Sequence, residues 1–219
     1  TKVKERLSEL KRISVNQILL GNGSDEVLDL IFRAFCEPNT DKIITLPPTY
    51  GMYSVLAELN AVGNIEIPLD YDFQPNKDKI LRRTNAHTKV LFLCSPNNPT
   101  ANSFKAKHIE RLIEDFQGIV VIDEAYIDFS KQESWLNRLN DFPNLIVTQT
   151  LSKAYGLAGI RLGACYASEE IIGVLNKIKP PYNVNQLTQD KALERLNALE
   201  KVNEEVNQIL SERKILRKA

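Results

Sequence analysis

The chain has 219 residues and a mass of 24.8 kDa, enough to bury one sizeable core with or without an appended element. It carries 28 Lys and Arg against 28 Asp and Glu, and this zero net charge provides no bulk attraction to nucleic acid or anionic membranes. No apolar run approaches the roughly 20 residues of a membrane-spanning helix, and the first residues lack the apolar core of a signal peptide.

Short apolar runs alternate along the chain with segments of helical periodicity. Between the runs, apolar residues recur three and four positions apart, as in Ile109, Leu112, Ile113 and Phe116. Runs that are apolar throughout and alternate with helices are typical of a parallel sheet covered by helices, so we predict an α/β domain with a mostly parallel sheet. The seven predicted strands are residues 17–20, 42–46, 64–68, 89–94, 119–122, 145–150 and 163–166.

The pattern changes after Pro180 and Pro181, which end the last helix of the alternation. From about residue 186 to residue 219 an apolar stripe predicts one long amphipathic helix. Because no later element of the chain can cover this stripe, we expect that another chain covers it or that the helix leads toward a further domain. The predicted division is therefore an α/β domain over residues 1–182 and the helix over 183–219. The stripe consists of Leu196, Leu199, Val202, Val206 and Ile209.

The three cysteines are predicted to be buried, reduced thiols of a cytoplasmic protein. Cys36, Cys94 and Cys165 lie far apart in apolar segments, without a Cys-x-x-Cys pair, and His87 and His108 are isolated. This spacing favours free thiols over a disulfide or a metal site, so no bound metal is expected.

A glycine-rich turn, Gly-Asn-Gly-Ser-Asp-Glu at 21–26, follows the first predicted strand and opens a helix. Its glycines allow a close backbone approach, and the free N–H groups of a helix start can bind phosphate. The turn lacks the third glycine of a dinucleotide fingerprint and the lysine of a P-loop. By itself it indicates a plain capped helix start more than a ligand site.

Polar residues also follow two of the central strands. Strand 119–122 leads into Asp123 and Glu124; acids there handle Mg²⁺ in ATPases, but only beside a phosphate loop with lysine, which this sequence lacks. An aspartate at that place can instead pair with the pyridine nitrogen of pyridoxal phosphate and keep it protonated. Asn98 follows strand 89–94 and is either part of a proline-rich turn or a hydrogen-bond donor to that cofactor's phenolic oxygen.

Lys153 follows strand 145–150 and precedes small residues and Arg161. A lone lysine is usually a solvated surface charge. Because Asn98 and Asp123 also stand at strand ends, where open α/β sheets bind ligands, the three residues together predict a pyridoxal phosphate site.

Five segments, in order and at plausible spacing, resemble the fold-type I aminotransferases. Among these the sequence is most similar to the histidinol-phosphate aminotransferases, a branch indicated by the second segment. The resemblance covers most of residues 13–182. The segments are Gly-Asn-Gly-Ser-Asp-Glu at 21–26, Pro-Pro-Thr-Tyr-Gly-Met-Tyr at 47–53, Ser-Pro-Asn-Asn-Pro-Thr at 95–100, Asp-Glu-Ala-Tyr at 123–126 and Thr-Leu-Ser-Lys-Ala-Tyr-Gly-Leu-Ala-Gly-Ile-Arg-Leu-Gly at 150–163.

The resemblance implies a three-layer α/β/α domain that binds pyridoxal 5′-phosphate, and a homodimer. It implies the transfer of an amino group between L-histidinol phosphate and 2-oxoglutarate in histidine biosynthesis. Lys153 would bond covalently to the cofactor and move a proton between it and the substrate's α-carbon, and Asp123 would pair with the pyridine nitrogen. The other implied cofactor contacts are Tyr126 and Asn98 to the phenolic oxygen, Tyr50 on the ring face, and Ser24, Asp25, Ser152 and Arg161 around the phosphate.

The sequence departs from the family in two respects. Ala101 stands where relatives usually have glycine, and the relatives' N-terminal arm and small C-terminal domain, with its carboxylate-binding arginine, are not among these residues. We therefore expect a fragment that binds the cofactor and transaminates poorly. The alternatives are another class I/II aminotransferase or decarboxylase of the same fold, and a catalytically inert scaffold fragment.

Overall fold

The computed structural model describes residues 1–218. Its centre is a seven-stranded sheet. The strands are β1 (Ile18–Asn22), β2 (Lys42–Thr45), β3 (Gly63–Glu66), β4 (Thr88–Cys94), β5 (Ile119–Asp123), β6 (Leu145–Thr150) and β7 (Leu162–Ala167). They lie in the order β1-β7-β6-β5-β4-β2-β3, and β7 runs antiparallel to both of its neighbours, whereas the pairs from β6 to β3 are parallel. The predicted mostly parallel sheet and its seven strands are confirmed.

Eight α-helices within the described residues cover the two faces of this sheet. Side chains along a strand point alternately to opposite faces, so Val120 and Ile122 of β5 enter one core while Val121 enters the other. One face packs against α2, α3 and α6, and the other against α1, α4, α5, α7 and α8, which gives the three layers expected from the resemblance. The helices are α1 (Lys2–Lys11), α2 (Ser24–Phe35), α3 (Met52–Leu59), α4 (Lys77–Arg82), α5 (Ala106–Asp115), α6 (Glu169–Ile178), α7 (Gln186–Leu196) and α8 (Leu199–Leu216).

The register of the central strands brings polar residues together at their carboxyl ends. Cys94 of β4 pairs with Asp123 of β5, which in turn pairs with Thr148 of β6. Immediately upstream of these positions lie the apolar residues 90–93, 119–122 and 145–147, so the change to polar side chains occurs in three neighbouring strands at one edge of the sheet. This edge is where a ligand would approach the domain.

The predicted single helix over residues 186–219 is wrong, because the chain forms α7 and α8 with a break at Asn197 and Ala198. Leu196 and Val202 are six positions apart, and in one straight helix their side chains would point about 120° apart. The break allows both to enter the same core, where Leu196 is 0% and Val202 is 4% exposed.

Most of the apolar stripe is covered by the chain itself, contrary to our expectation. Leu196, Val202 and Val206 are buried in the core that also includes Val3 of α1. Only the end of the stripe is open, since Ile209 remains 51% exposed. That residues 183–219 lead toward a further domain stays a prediction.

Cys36, Cys94 and Cys165 are free and buried, as predicted. Within residues 1–218, we find no helix that combines the length and the apolar character needed to cross a membrane.

Candidate functional site

One cavity of about 140 Å³ at the carboxyl ends of the central strands is lined by every residue that the sequence predicted for the site. These residues are Ser24, Asp25, Tyr50, Asn98, Asp123, Tyr126, Ser152, Lys153 and Arg161. The remaining lining residues, which the sequence analysis missed, are Cys94, Ala125, Thr150 and Ala158. Cys94 and Thr150 are the last residues of β4 and β6, so the expectation that ligands bind at strand ends would have identified them.

Asp123 is a buried carboxylate in the cavity wall, with only 3% of its surface exposed. Its Oδ2 accepts a hydrogen bond from the Tyr53 hydroxyl at 2.8 Å, and its Oδ1 accepts one from the Ala125 N–H at 3.1 Å. Burial raises the pKa of Asp123, and these hydrogen bonds counteract that rise. A carboxylate held in this way is suited to bind a cationic group that enters the cavity.

Tyr53 is a residue of this site that the sequence analysis did not identify. It is completely buried, and its ring stacks on that of Phe92 with a centroid distance of 4.8 Å. Burial and the nearby Asp123 carboxylate raise the pKa of Tyr53, so its hydroxyl remains a donor. The available signal was its place in the segment Pro-Pro-Thr-Tyr-Gly-Met-Tyr, where Tyr53 follows Tyr50 by three positions and becomes the second residue of α3.

Tyr50 lines the cavity and belongs partly to the core, so the two roles weighed from sequence are compatible. Its hydroxyl donates to Asp25 Oδ1 at 3.1 Å, and its ring meets Tyr53 edge to face at 5.6 Å. Partial burial and the Asp25 carboxylate raise the pKa of Tyr50 to about 12. Tyr50 therefore offers an aromatic face to the cavity while its hydroxyl is tied to α2.

The start of α2 and Arg161 form a cradle for an anion. Ser24 is the first residue of α2, whose initial N–H groups have no partner within the helix. The Arg161 Nη2 lies 3.5 Å from Asp25 Oδ2, and the Gly23 N–H donates to the Arg161 carbonyl at 3.0 Å. Ser152 adds a hydroxyl from the turn after β6. Such a set of N–H, hydroxyl and guanidinium donors suits a phosphate group.

A tight turn after β6 presents Lys153 to the cavity. The Ser152 N–H donates to Thr150 Oγ1 at 3.1 Å, and the Gly156 N–H donates to the Lys153 carbonyl at 3.0 Å, with Gly156 at a φ of 67°. The Lys153 Nζ lies 5.4 Å from the centroid of the Tyr126 ring, within the range of a cation–π contact. The lysine is thus held beside the aromatic wall of the cavity.

The loop after β4 is fixed by Asn97, which leaves Asn98 at the cavity. Asn97 is buried; its Nδ2 donates to the Pro48 carbonyl at 2.9 Å, and its Oδ1 accepts from the Thr49 hydroxyl at 3.1 Å. Ala101, at the position where relatives usually have glycine, has a φ of 60°. That left-handed conformation explains why glycine is preferred there, and it is adopted here by alanine at some conformational cost.

The family model for aminotransferases of class I and II matches residues 1–219. Among curated proteins, the chain is similar to the histidinol-phosphate aminotransferase of Flavobacterium johnsoniae, with 63% identity over 216 residues that cover 99% of this chain and 62% of that protein. It is similar to that of Christiangramia forsetii, with 62% identity over 218 residues that cover 100% of this chain and 62% of that protein.

Solved structures share the fold. The histidinol-phosphate aminotransferase of Clostridium acetobutylicum superposes with a TM-score of 0.89 at 21% identity, covering 99% of this chain and 65% of that one. The histidinol-phosphate aminotransferase of Sinorhizobium meliloti in complex with pyridoxal-5′-phosphate superposes with a TM-score of 0.88 at 24% identity, covering 97% of this chain and 59% of that one. The chain therefore spans about 62% of the length of the curated relatives that it matches.

Proposed function

This chain belongs to the class I and II aminotransferases, and we propose that its cavity binds pyridoxal 5′-phosphate for the transfer of an amino group between L-histidinol phosphate and 2-oxoglutarate in histidine biosynthesis. The observation that carries the proposal is that Lys153, Asp123, Asn98 and Arg161, which come from separate parts of the sequence, line one cavity. The substrate is supported by the names of relatives that are 63% and 62% identical.

The residues of the cavity fit this cofactor. A phosphate needs a close backbone approach and several donors, and the cradle at the start of α2 is so tight that a Cβ at Gly23 would lie 2.5 Å from Arg161 Nη2. A ring nitrogen that carries a proton needs a buried anion, and Asp123 is the buried acid of the cavity. The aldehyde of the cofactor requires a primary amine to hold it, and Lys153 supplies that amine.

Each of the nine predicted residues that line the cavity would then have a defined task. Asp123 would hold the proton on the ring nitrogen, Asn98 would donate a hydrogen bond to the phenolic oxygen, and Tyr126 would hydrogen-bond the same oxygen. The N–H groups of Ser24 and Asp25, the hydroxyl of Ser152 and the guanidinium of Arg161 bind the phosphate, and Tyr50 covers the ring face. When bound, the cofactor supplies an electron sink that stabilises negative charge on the substrate carbon bearing the amino group.

Lys153 has two tasks in this proposal. Its Nζ would hold the cofactor before substrate arrives, and once the substrate's amine displaced it, the free amine would be placed to move the proton of the substrate's α-carbon. The Tyr126 ring, 5.4 Å from Nζ, limits where the amine can move. The negative charge of Asp25, beside the phosphate cradle, is compensated by the Tyr50 hydroxyl and by Arg161.

The cofactor is tested by mixing the purified chain with pyridoxal phosphate and reducing it with borohydride. We expect a visible absorption band, and after reduction a covalent adduct on Lys153 that mass spectrometry locates. Lys153→Ala should remove both, while Lys107→Ala, an exposed lysine of α5, should retain both. A chain that stays colourless, or an adduct that persists in Lys153→Ala, would contradict the proposal and favour an inert scaffold.

The substrate is tested on the longer protein that contains this sequence. We expect amino transfer from L-histidinol phosphate to 2-oxoglutarate to exceed transfer from aromatic amino acids, and we expect this chain alone to transaminate poorly. A preference for another amine, or release of carbon dioxide, would indicate a different aminotransferase or a decarboxylase of the same fold. We also propose that the protein is cytoplasmic and forms a homodimer. Sedimentation of the longer protein measures its oligomeric state directly.

A further inference from the structure

Tyr53 joins helix α3 to the acid of the cavity without lining the cavity itself. From this geometry we infer that Tyr53 is a positioning residue, which orients the Asp123 carboxylate and keeps it ionised for the cationic ring nitrogen of the cofactor. The link to the ring nitrogen rests on the proposed function, whereas the link between Tyr53 and Asp123 does not.

The two oxygens of Asp123 are held from two directions. The Tyr53 hydroxyl reaches Oδ2 at 2.8 Å from α3, and the Ala125 N–H reaches Oδ1 at 3.1 Å from the segment after β5. Two donors on different elements fix both the position and the plane of a carboxylate, which a single donor cannot do. The remaining lone pairs are left for a ligand, since each carboxylate oxygen can accept more than one hydrogen bond.

The phenol that provides one of these donors is itself rigid. Tyr53 is 0% exposed and stacks on Phe92 of β4 with an interplanar angle of 15°. Phe92 in turn stacks on Phe32 of α2, with ring centroids 5.3 Å apart. This column of three rings delivers the hydroxyl to Asp123 with little conformational freedom left to lose.

The surroundings of Asp123 otherwise oppose its charge. Of the charged groups nearby, Asp25 of α2 opposes ionisation, and neither cation of the cavity, Lys153 or Arg161, is among the groups that lower the pKa of Asp123. In the absence of a ligand, hydrogen bonds are therefore what stabilises the ionised form. A phenylalanine would fill the space of the Tyr53 ring equally well, so packing alone does not account for a hydroxyl at a fully buried position that contacts a carboxylate.

The first test uses the cofactor-free protein, with ¹³C-labelled aspartate and the Asp123 signal assigned from Asp123→Asn. We expect Tyr53→Phe to raise the titration midpoint of Asp123 by about one pH unit, because a hydrogen bond to a charged group is lost. The control Phe92→Leu loosens the ring column but keeps the hydroxyl, and it should shift the midpoint less. An unchanged midpoint in Tyr53→Phe, or an equal shift in Phe92→Leu, would overturn the inference whether or not the chain binds a cofactor.

The second test measures the Kd for pyridoxal phosphate by fluorescence titration in a double-mutant cycle. Tyr53→Phe should raise the Kd about tenfold in the wild-type background and less than about twofold in the Asp123→Asn background. An equal loss in both backgrounds would show that Tyr53 does not act through Asp123. If wild-type protein fails to bind pyridoxal phosphate, the proposed function fails, while the aspartate titration still decides the inference.

Folding provides a further measurement if Tyr53→Phe is unstable. An unsatisfied Asp123 carboxylate would then be the cause, so the double variant Tyr53→Phe with Asp123→Asn should regain the wild-type circular dichroism spectrum. A double variant that stays unfolded would assign Tyr53 to packing and overturn the inference.

Discussion

Gly23 and Arg161 are in close contact, because the Gly23 N–H donates to the Arg161 carbonyl at 3.0 Å. The Arg161 guanidinium fills the space that a side chain at residue 23 would need. Gly23 has a φ of 82° and Arg161 one of 56°, so both residues adopt left-handed backbone conformations where the two segments meet. This contact sets the position of the guanidinium relative to the start of α2. The anion cradle therefore depends on a glycine that contributes no side chain to it.

Gly23→Ala should destabilise the protein and weaken its binding of phosphate-bearing ligands. A Cβ would lie 2.5 Å from Arg161 Nη2 and the residue would keep a left-handed φ, so we expect a loss of about 1–3 kcal/mol in the free energy of unfolding. Urea denaturation measures the stability, and titration with pyridoxal phosphate measures the binding.

Gly173→Ala in α6 is the matched control for that substitution. Apart from its chain neighbours and its own helix backbone, no atom lies within 4 Å of the added Cβ, and alanine favours helix over glycine by about 1 kcal/mol, so this variant should be at least as stable as the wild type. Equal stabilities of Gly23→Ala and wild type would mean that the guanidinium moves aside freely.

Asp123→Asn should stabilise the cofactor-free protein while it weakens cofactor binding. Burial raises the pKa of Asp123, so between its ordinary and its raised pKa the folded state binds more protons than the unfolded state. Stability is then lost as the pH rises through that interval, by about 1.4 kcal/mol for each unit of pKa difference. Urea denaturation at a series of pH values should show wild type falling below Asp123→Asn as the pH increases; parallel curves would contradict this.

Glu124→Ala should be strongly destabilising. Glu124 is 1% exposed, and its carboxylate accepts hydrogen bonds from the Ser134 hydroxyl at 2.6 Å, the Trp135 N–H at 2.7 Å and Gln149 Nε2 at 2.8 Å. Removing the acceptor leaves these buried donors unsatisfied, and we expect a loss of about 3 kcal/mol in the free energy of unfolding.

The comparison for Glu124 is Glu133→Ala, an exposed acid in the same loop, which should change the free energy of unfolding by less than about 0.5 kcal/mol. Chemical denaturation of both variants measures the difference. If Glu124→Ala proved as stable as Glu133→Ala, water would have to replace the lost acceptor.

Leu196→Ala and Ile209→Ala should differ although both residues belong to the same apolar stripe. Leu196 is fully buried at the end of α7, and its truncation should cost about 2–5 kcal/mol, whereas Ile209 of α8 is half exposed and should cost about 1 kcal/mol or less. Thermal unfolding of the two variants compares them. Similar losses would indicate that the end of the stripe is covered after all.

The type of sheet and most of the residues that line the cavity could be predicted from the sequence. Continuous apolar runs are a local property, so β4, β5 and β6 were evident from residues 88–150 alone. Because parallel strands end at one edge, Asn98, Asp123 and Lys153 could be assigned to one site before their contacts were known.

Which of these residues contact one another depends on how the helices pack on the sheet. Tyr53 and Asp123 are 70 residues apart in sequence, and their hydrogen bond depends on how α3 packs against β4, which no local pattern encodes. The break between α7 and α8 lets Leu196 and Val202 enter one core, although apolar residues recur at helical spacing from Leu196 to Ile209 and predict one helix. Local periodicity thus predicts elements and the chemistry at their ends, while packing determines how the Asp123 carboxylate is held and where the last helix divides.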